Sequence, residues 1–331
     1  MININKLPIR ILPSSSRTLV RPFVPGSESQ VEHILFRIFS TPKSDRERIV
    51  ENLHKRLEMP HDMSKRIFLR HFENMKPRIP DDIELNEIDK QFIGAYFTQQ
   101  YALESTALFN PSIVPHPVQD KEGITRFIFS LRAIGEGHIS SITFMEGEID
   151  KDFNITVKDN SPVIYEPERK DHIYNKETVI KKAIDLELFS KVNEPLFGLL
   201  DDKFTFDDLN NAASRLINSN IDNNREELIN SIDNIKKLAL SNFTLRFDTD
   251  DISERAIYPA SPSQSNGLED ARFVRFTDDD GEITYYATFT AYDGKKIMPE
   301  MLETVDFKEF RVSTLSGSGA KNKGMALFPR K

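Results

Sequence analysis

The sequence predicts a mainly β protein with two helical additions. The hydrophobic period switches from 3.6 to 2 near Phe109, and the runs TRFIFSLRA and HISSITFMEGEI are apolar, aromatic and β-branched, as strands are. Helical spacing returns in the middle of the chain, and β character resumes from Leu245. The predicted organisation is an extended segment 1–27, a helical region 28–108, a β region 109–170, a helical insertion 171–244 and a second β region 245–331.

The helical region 28–108 is predicted to contain four helices. SESQVEHILFRIFS opens with a capping box at Ser27 or Ser29, and KSDRERIVENLHKRL, HDMSKRIFLRHF and the long LNEIDKQFIGAYFTQQYALESTALF follow. Their apolar faces should cover either the β region or a partner subunit. The second alternative would make the chain a homo-oligomer.

Two hairpins and a final strand are predicted in the β regions. Gly135 and Gly137 separate two strands, and because a strand rather than a helix follows them, they do not form a phosphate-binding loop. Asp280-Gly281 between ARFVRFT and EITYYATFTAY predicts a hairpin with an Asp-Gly turn. The terminal GMALFPRK is predicted as a further strand-like piece.

Composition excludes several classes of protein. The 331 residues carry a net charge of −8 and no cysteine, so disulfides, thiolate metal sites and a cysteine nucleophile are excluded. The acidic balance argues against tight nucleic-acid binding. No apolar run approaches the ~18 residues of a membrane-spanning helix. The proline-interrupted N-terminus lacks the pattern of a secretory signal, so we expect a cytoplasmic protein.

The most informative polar cluster precedes a predicted strand, in the run SNGLEDARF. Glu269 and Asp270 are adjacent carboxylates, with Arg272 two residues on. They suit either an ion pair that caps a turn or a carboxyl group doing acid chemistry at a sugar. Strand alternation would place the two carboxylates on opposite sides, so at most one would point into a given site.

Other candidate residues are fewer. Arg132 is a charged residue on an apolar strand, and it is either half of a buried ion pair or a ligand clamp. Asn110-Pro111 is read from the residues alone as a helix stop. Scattered histidines and an aspartate run that lacks the glycine and distal glutamate of a calcium loop predict no metal site.

Five fragments, in order along the chain, resemble glycoside hydrolase family 130, the inverting β-mannoside phosphorylases and their hydrolase relatives. They are Phe109-Asn110-Pro111-Ser112, Phe129-Ser130-Leu131-Arg132-Ala133, Gly267-Leu268-Glu269-Asp270-Ala271-Arg272, Phe289-Thr290-Ala291-Tyr292-Asp293-Gly294 and Lys323-Gly324-Met325-Ala326-Leu327-Phe328-Pro329. The resemblance covers residues 105–160 and 245–331. The two helical segments lie outside it, as additions.

This resemblance implies a five-bladed β-propeller with its site on the central axis. It also implies a member that is incomplete at the C-terminus, because the remaining blades and most of the family's phosphate-contacting residues lie beyond the position that matches Lys331. On this expectation the chain contains only part of the propeller.

The resemblance also implies roles for individual residues. Asp270 matches the family's catalytic general acid, which passes its proton through a mannose hydroxyl to the glycosidic oxygen. Phosphate attacks C1 from the opposite face, and inversion gives α-mannose 1-phosphate. The other matched positions, which bind substrate or line the site, are Asn110, Arg132, Glu269, Arg272, Tyr292, Asp293 and Lys323. Ala271 stands where the family usually has proline.

The expected partners are therefore a β-mannoside oligosaccharide and inorganic phosphate as co-substrate, with no cofactor, nucleic acid or membrane. Two alternatives stay open. Some family members activate water with a carboxylate and act as inverting β-mannosidases. The chain could also be a non-catalytic sugar-binding or assembly module.

Overall fold

A computed structural model describes residues 6–57, 59–219 and 225–328. The α-helices are α1 Glu28–Ser40, α2 Lys43–Arg56, α3 His61–Met75, α4 Glu87–Tyr96, α5 Lys176–Asp185, α6 Glu194–Gly198, α7 Phe206–Ser219 and α8 Arg225–Leu240. Short 3-10 helices lie at Lys76–Arg78, Glu136–His138, Ile252–Glu254 and Pro262–Gln264.

The strands divide between short bridging pieces and long ladder-forming ones. They are β1 Ser14–Pro22, β2 Thr98–Glu104, β3 Ala107–Pro115, β4 Ile124–Ile134, β5 Ser140–Asp150, β6 Ile155–Val157, β7 Val163–Ile164, β8 Glu168–Lys170, β9 Tyr174–Asn175, β10 Lys203–Phe204, β11 Phe243–Arg246, β12 Ala256–Ile257, β13 Gly267–Thr277, β14 Ile283–Tyr292, β15 Ile297–Thr304 and β16 Glu309–Thr314. The described residues form two compact units, one within 1–15, 103–161 and 165–331 and the other within 16–102 and 162–164.

The smaller unit contains α1 to α4 and most of the sheet β2-β1-β7. The Ser27 side chain accepts from the Gln30 amide at the start of α1, as the capping pattern predicts. The apolar helix faces pack on one another, with Ile38, Phe72 and Phe92 at the centre. Much of these faces is thus buried within the helical unit itself, and a homo-oligomer formed through the helices stays a prediction.

The prediction of helix through residue 108 is wrong beyond Tyr96. Thr98 Oγ1 donates to the Gly94 carbonyl at 2.7 Å and so satisfies an acceptor at the end of α4. The Phe23 amide then donates to the Phe97 carbonyl at 2.9 Å, and β2 joins β1. Pairing with a strand far away in sequence satisfies the backbone of β2, and this overrides the helical spacing of its side chains.

The larger unit contains one extended sheet made of two antiparallel groups. The order is β3-β4-β5-β13-β14-β15-β16-β11-β8, with β6 and β12 also on β5. A single parallel pairing, Gly267 with Ser140, joins the two groups. Phe144, Phe289 and Phe310 lie in the buried core that both groups share. The chain is therefore a mixed helix and sheet protein, which confirms the coarse prediction of β regions with helical additions.

Both predicted hairpins are confirmed. β4 and β5 are joined through Glu136–His138, and β13 and β14 are joined around Gly281. The predicted strand at GMALFPRK is absent from 324–328, the part of it that the structure describes, and 329–331 lie outside the described residues. Thr288 Oγ1 donates to the Met325 carbonyl at 2.6 Å, so this segment is tied to β14 without forming a ladder.

The helical insertion has a hydrophobic core of its own. Leu196, Leu209, Ile232 and Ile235 are fully buried among α5 to α8. Burial among insertion residues explains why the segment is helical and amphipathic between two β regions.

Candidate functional site

Two β-bulges define the candidate site. The register of β3 against β4 shifts between Phe109 and Ser112, and that of β13 against β14 shifts between Glu269 and Arg272. Inside the bulges, Asn110 has φ of 51° and Asp270 has φ of 54°. A left-handed conformation at a residue other than glycine costs roughly 1–3 kcal/mol and is concentrated at functional sites. The family resemblance selects both residues, although His138, Phe153, Glu187 and Phe307, outside the site, also have positive φ.

The two bulges are bound to each other. Arg272 Nη1 donates to the Pro111 carbonyl at 3.2 Å, and the Phe273 amide donates to Ser112 Oγ at 2.8 Å. Each contact joins one bulge to the other. The fold therefore brings the Asn110 bulge and the Asp270 bulge together, although the two are far apart in sequence.

Asp270 is the candidate reactive carboxyl group. Its Oδ1 lies 2.5 Å from Arg272 Nη2, which is the ion pair that the residue pattern allowed. Oδ1 is buried and has no hydrogen-bond partner among the described residues besides this ion pair. The side chain as a whole is 27% exposed. The ion pair holds the carboxyl group in one position, as a reactive group requires.

The neighbouring Glu269 bridges two cations. Its Oε1 accepts from Arg132 Nη2 at 3.0 Å, and its Oε2 accepts from Lys323 Nζ at 2.9 Å. Lys323 Nζ also lies 5.7 Å from the centroid of the Tyr292 ring. Of the two alternatives for Arg132, the ion pair is therefore present. Arg132 Nε is buried with no hydrogen-bond partner in the described part of the chain.

Asp293 has a different position. Its Oδ1 accepts from the amides of Lys295 and Lys296, at 2.8 and 2.6 Å. Burial raises the pKa of Asp293, but these backbone hydrogen bonds outweigh it and the net pKa is lowered. The nearby Tyr292 hydroxyl donates to the Gly294 carbonyl at 2.8 Å. The Asp293 carboxylate therefore stabilises the β14–β15 turn, while Tyr292 lies between that turn and the Glu269 cluster.

Gly267 positions the strand that carries these carboxylates. Its φ is 126°, and a Cβ there would lie 2.4 Å from Ser140 Oγ and 2.9 Å from the Ser140 amide nitrogen. Only glycine allows this approach of β13 to β5. The contact aligns Glu269 with Arg132, which lies on β4, the strand that pairs with the other edge of β5.

Reasoning from the sequence missed two parts of the site. Strand alternation does not apply between Glu269 and Arg272, because the bulge interrupts it. Ser112 ends the fragment Phe109-Asn110-Pro111-Ser112, but the sequence alone indicates no role for it. The signal for both was the same: a residue type tolerant of positive φ, Asn or Asp, within an otherwise regular strand.

We compared the chain with known proteins in three ways. No protein-family model matches the chain, and no match was found among curated proteins or among solved structures. Among the described residues, no group of three or more His, Asp and Glu side chains is placed to hold a metal ion. No helix in the described ranges is both long enough and apolar enough to cross a membrane.

The site combines hydrogen-bond donors and acceptors. Glu269 and Asp270 supply acceptors, and Arg132, Arg272 and Lys323 supply donors, which together are the groups that bind hydroxyls. With three cations against two carboxylates, the cluster carries an excess positive charge.

Proposed function

We propose that this chain is a carbohydrate-active enzyme that cleaves β-mannosides by inverting phosphorolysis in the cytoplasm, with Asp270 as general acid. The observation that carries the proposal is the joining of the two bulges, through Arg272 to Pro111 and Phe273 to Ser112. These contacts bring the bulges that contain Asn110 and Asp270 together. The family resemblance implies that Asn110 binds the sugar and that Asp270 donates the proton.

The proposed chemistry assigns a task to each neighbour of Asp270. Asn110 and Arg132 bind the mannosyl hydroxyls, and Asp270 gives its proton through one of these hydroxyls to the glycosidic oxygen. Phosphate attacks C1 from the opposite face, so that the C1–O bond breaks as the new C1–O–P bond forms. Glu269 holds Arg132 in place through their 3.0 Å contact. The product is α-mannose 1-phosphate, and the released sugar carries the proton.

The proposal extends to the fold. We propose that the sheet strands belong to blades of a β-propeller. In support, β13, β14, β15 and β16 form consecutive antiparallel pairs, and a propeller blade is typically a four-stranded sheet. Asp270 lies on the first strand of this group.

The test is incubation of the chain with β-1,2- and β-1,4-linked mannosides and inorganic phosphate, followed by phosphorus NMR. We expect α-mannose 1-phosphate from the unaltered chain and none from Asp270→Asn. Asp279→Asn, in the exposed turn between β13 and β14, is the matched control and should keep full activity.

The other outcomes separate the alternatives. Release of free mannose at a rate independent of phosphate would show that the reaction is hydrolysis and not phosphorolysis. Sugar binding without turnover, unchanged in Asp270→Asn, would leave a non-catalytic binding module and reject the assignment of Asp270.

A further inference from the structure

A cavity lies where the helical insertion meets β16. Its volume is 130 Å³, against ~30 Å³ for one water molecule in the liquid, so it has room for a small ligand. Its polar lining comes from the segment before α5, from α5 itself, from the turn between α8 and β11 and from β16, and includes His172, Asn175, Thr178, Lys182, Asn242, Arg311 and Ser313. This cavity is separate from the candidate site, because Asp270 is on β13, three strands from β16 in the sheet order.

The charge of this lining has one sign. His172, Lys182 and Arg311 are basic, and no acidic side chain lies among the described residues that line the cavity. Two carboxylates act from outside it. Glu303 Oε2 is 4.0 Å from Arg311 Nη1, at the limit of an ion pair, and the buried Glu300 acts on Lys182 electrostatically. The cavity itself is therefore a concentration of positive charge.

Lys182 is the central group. Its Nζ donates to Asn242 Oδ1 at 2.6 Å, which is a neutral acceptor. Asn242 is held in turn by donating to the Leu238 carbonyl, and its Oδ1 accepts from the Thr314 amide. Burial and the charge of Arg311 lower the pKa of Lys182 to about 8. A partly buried ammonium group that has a neutral partner and a cationic neighbour gains stability when an anion binds beside it.

The other lining groups suit an oxyanion. Arg311 presents a planar set of N–H donors, which matches phosphate oxygens. His172 lies among the same cations, since burial lowers its pKa and Arg311, Lys182 and Arg169 lower it further. The hydroxyl of Ser313 supplies a neutral donor, whereas that of Thr178 donates to Asn175 Oδ1 at 3.1 Å. Donors from several directions around a small space favour a tetrahedral anion.

We propose that this cavity binds a phosphate-type oxyanion, supplied either as free inorganic phosphate or as the phosphoryl group of a sugar phosphate. Lys182, which is mostly protonated near neutral pH, and Arg311 together match a doubly charged ligand. The site does not depend on the proposed reaction at Asp270, since no residue is shared between them.

Calorimetric titration with inorganic phosphate tests the proposal. We expect saturable binding in the unaltered chain, and roughly tenfold or greater weakening in Lys182→Gln and in Arg311→Gln, because each loses a charge-assisted hydrogen bond. Lys181→Gln, at the exposed neighbouring position on α5, is the matched control and should bind as the unaltered chain does. Arg311 is 60% exposed, so Arg311→Gln decides the matter if Lys182→Gln does not unfold cooperatively.

Variants of the candidate site keep this test separate from the proposed function. Binding at the cavity should persist in Asp270→Asn and in Lys323→Gln. Binding that is lost in Lys323→Gln but retained in Lys182→Gln would place phosphate at the candidate site alone and overturn the cavity assignment, as would the absence of binding. Competition with mannose 1-phosphate identifies the source: displacement of inorganic phosphate indicates a sugar phosphate, and no displacement indicates free phosphate.

Discussion

The backbone amide of Phe273 donates a 2.8 Å hydrogen bond to the hydroxyl of Ser112, and this one contact links two bulged strands. Beyond it, Arg272 reaches the carbonyl of Pro111. Neither contact belongs to the regular ladder of a sheet. The relative position of Asn110 and Asp270 therefore depends on side-chain hydrogen bonds, which single substitutions can remove.

Ser112→Ala should destabilise the fold by about 1–3 kcal/mol, because it leaves the Phe273 amide, at a residue 6% exposed, without its acceptor. Ser112→Thr keeps the hydroxyl and should lose less than half as much. Urea unfolding measures both. Equal stability of Ser112→Ala and the unaltered chain would show that the amide finds another acceptor, and the link between the bulges would then be unimportant.

A comparison of two glycines tests the contact between β13 and β5. Gly281 has φ of 88° and open space around a Cβ, so Gly281→Ala should cost about 1 kcal/mol through backbone strain alone. Gly267→Ala adds a clash with Ser140 at 2.4 Å and should cost at least twice as much. Thermal and urea unfolding of the two variants supply the comparison. Similar losses would mean that β5 moves aside at little cost.

Glu269→Gln should destabilise the chain by ~2 kcal/mol, because Arg132 and Lys323 lose their shared carboxylate while the Arg132 side chain is only 25% exposed. Glu309→Gln is the control. Its pair with Lys170 is 48% and 36% exposed and should contribute less than about 1 kcal/mol. If the two variants lose equal stability, the Glu269 cluster behaves as an ordinary surface ion pair.

Glu300 should make stability depend on pH. It is fully buried, and burial raises its pKa from 4.5 to about 7, although Ser263 and Gln264 donate hydrogen bonds to it. Because the folded-state pKa is the higher one, its stabilising contribution is complete below pH 4.5 and is lost as the pH rises through about 7. Glu300→Gln should therefore gain stability relative to the unaltered chain, by ~3 kcal/mol between these limits.

Urea unfolding at a series of pH values checks this expectation. Glu303→Gln, on the same strand but 35% exposed, is the control. A difference between Glu300→Gln and the unaltered chain that stays constant from pH 4.5 to about 8 would contradict the raised pKa.

The sequence predicted what local pattern determines and missed what distant partners determine. The β13–β14 hairpin follows from the Asp280-Gly281 pair and from the alternation of apolar and polar residues, and both features are local. The end of α4 does not, because residues 97–104 keep helical spacing and become a strand only through pairing with β1. Boundaries of this kind require knowledge of the partner.

The candidate site divides in the same way. Glu269, Asp270 and Arg272 were identifiable from their clustering in one short run. The contact from Glu269 to Lys323 spans 54 residues, and the contact from Phe273 to Ser112 spans 161, so neither is visible in local pattern. The cavity beside Lys182 left no signal either, since its lysine and arginine lie on separate elements and resemble ordinary surface charges in the sequence.

The helical insertion leaves and rejoins the sheet at adjacent points, because Lys170 on β8 pairs with Thr244 on the antiparallel β11. Topologically, everything between these residues replaces a hairpin loop. A single insertion or deletion event in the gene can add or remove this segment, here called the cassette, without changing the order or the pairing of the sheet strands. Lys182 lies within the cassette and Arg311 lies outside it, so the proposed anion cavity would be gained or lost together with the cassette. Binding of the oxyanion would then be a property acquired with the insertion rather than a property of the sheet.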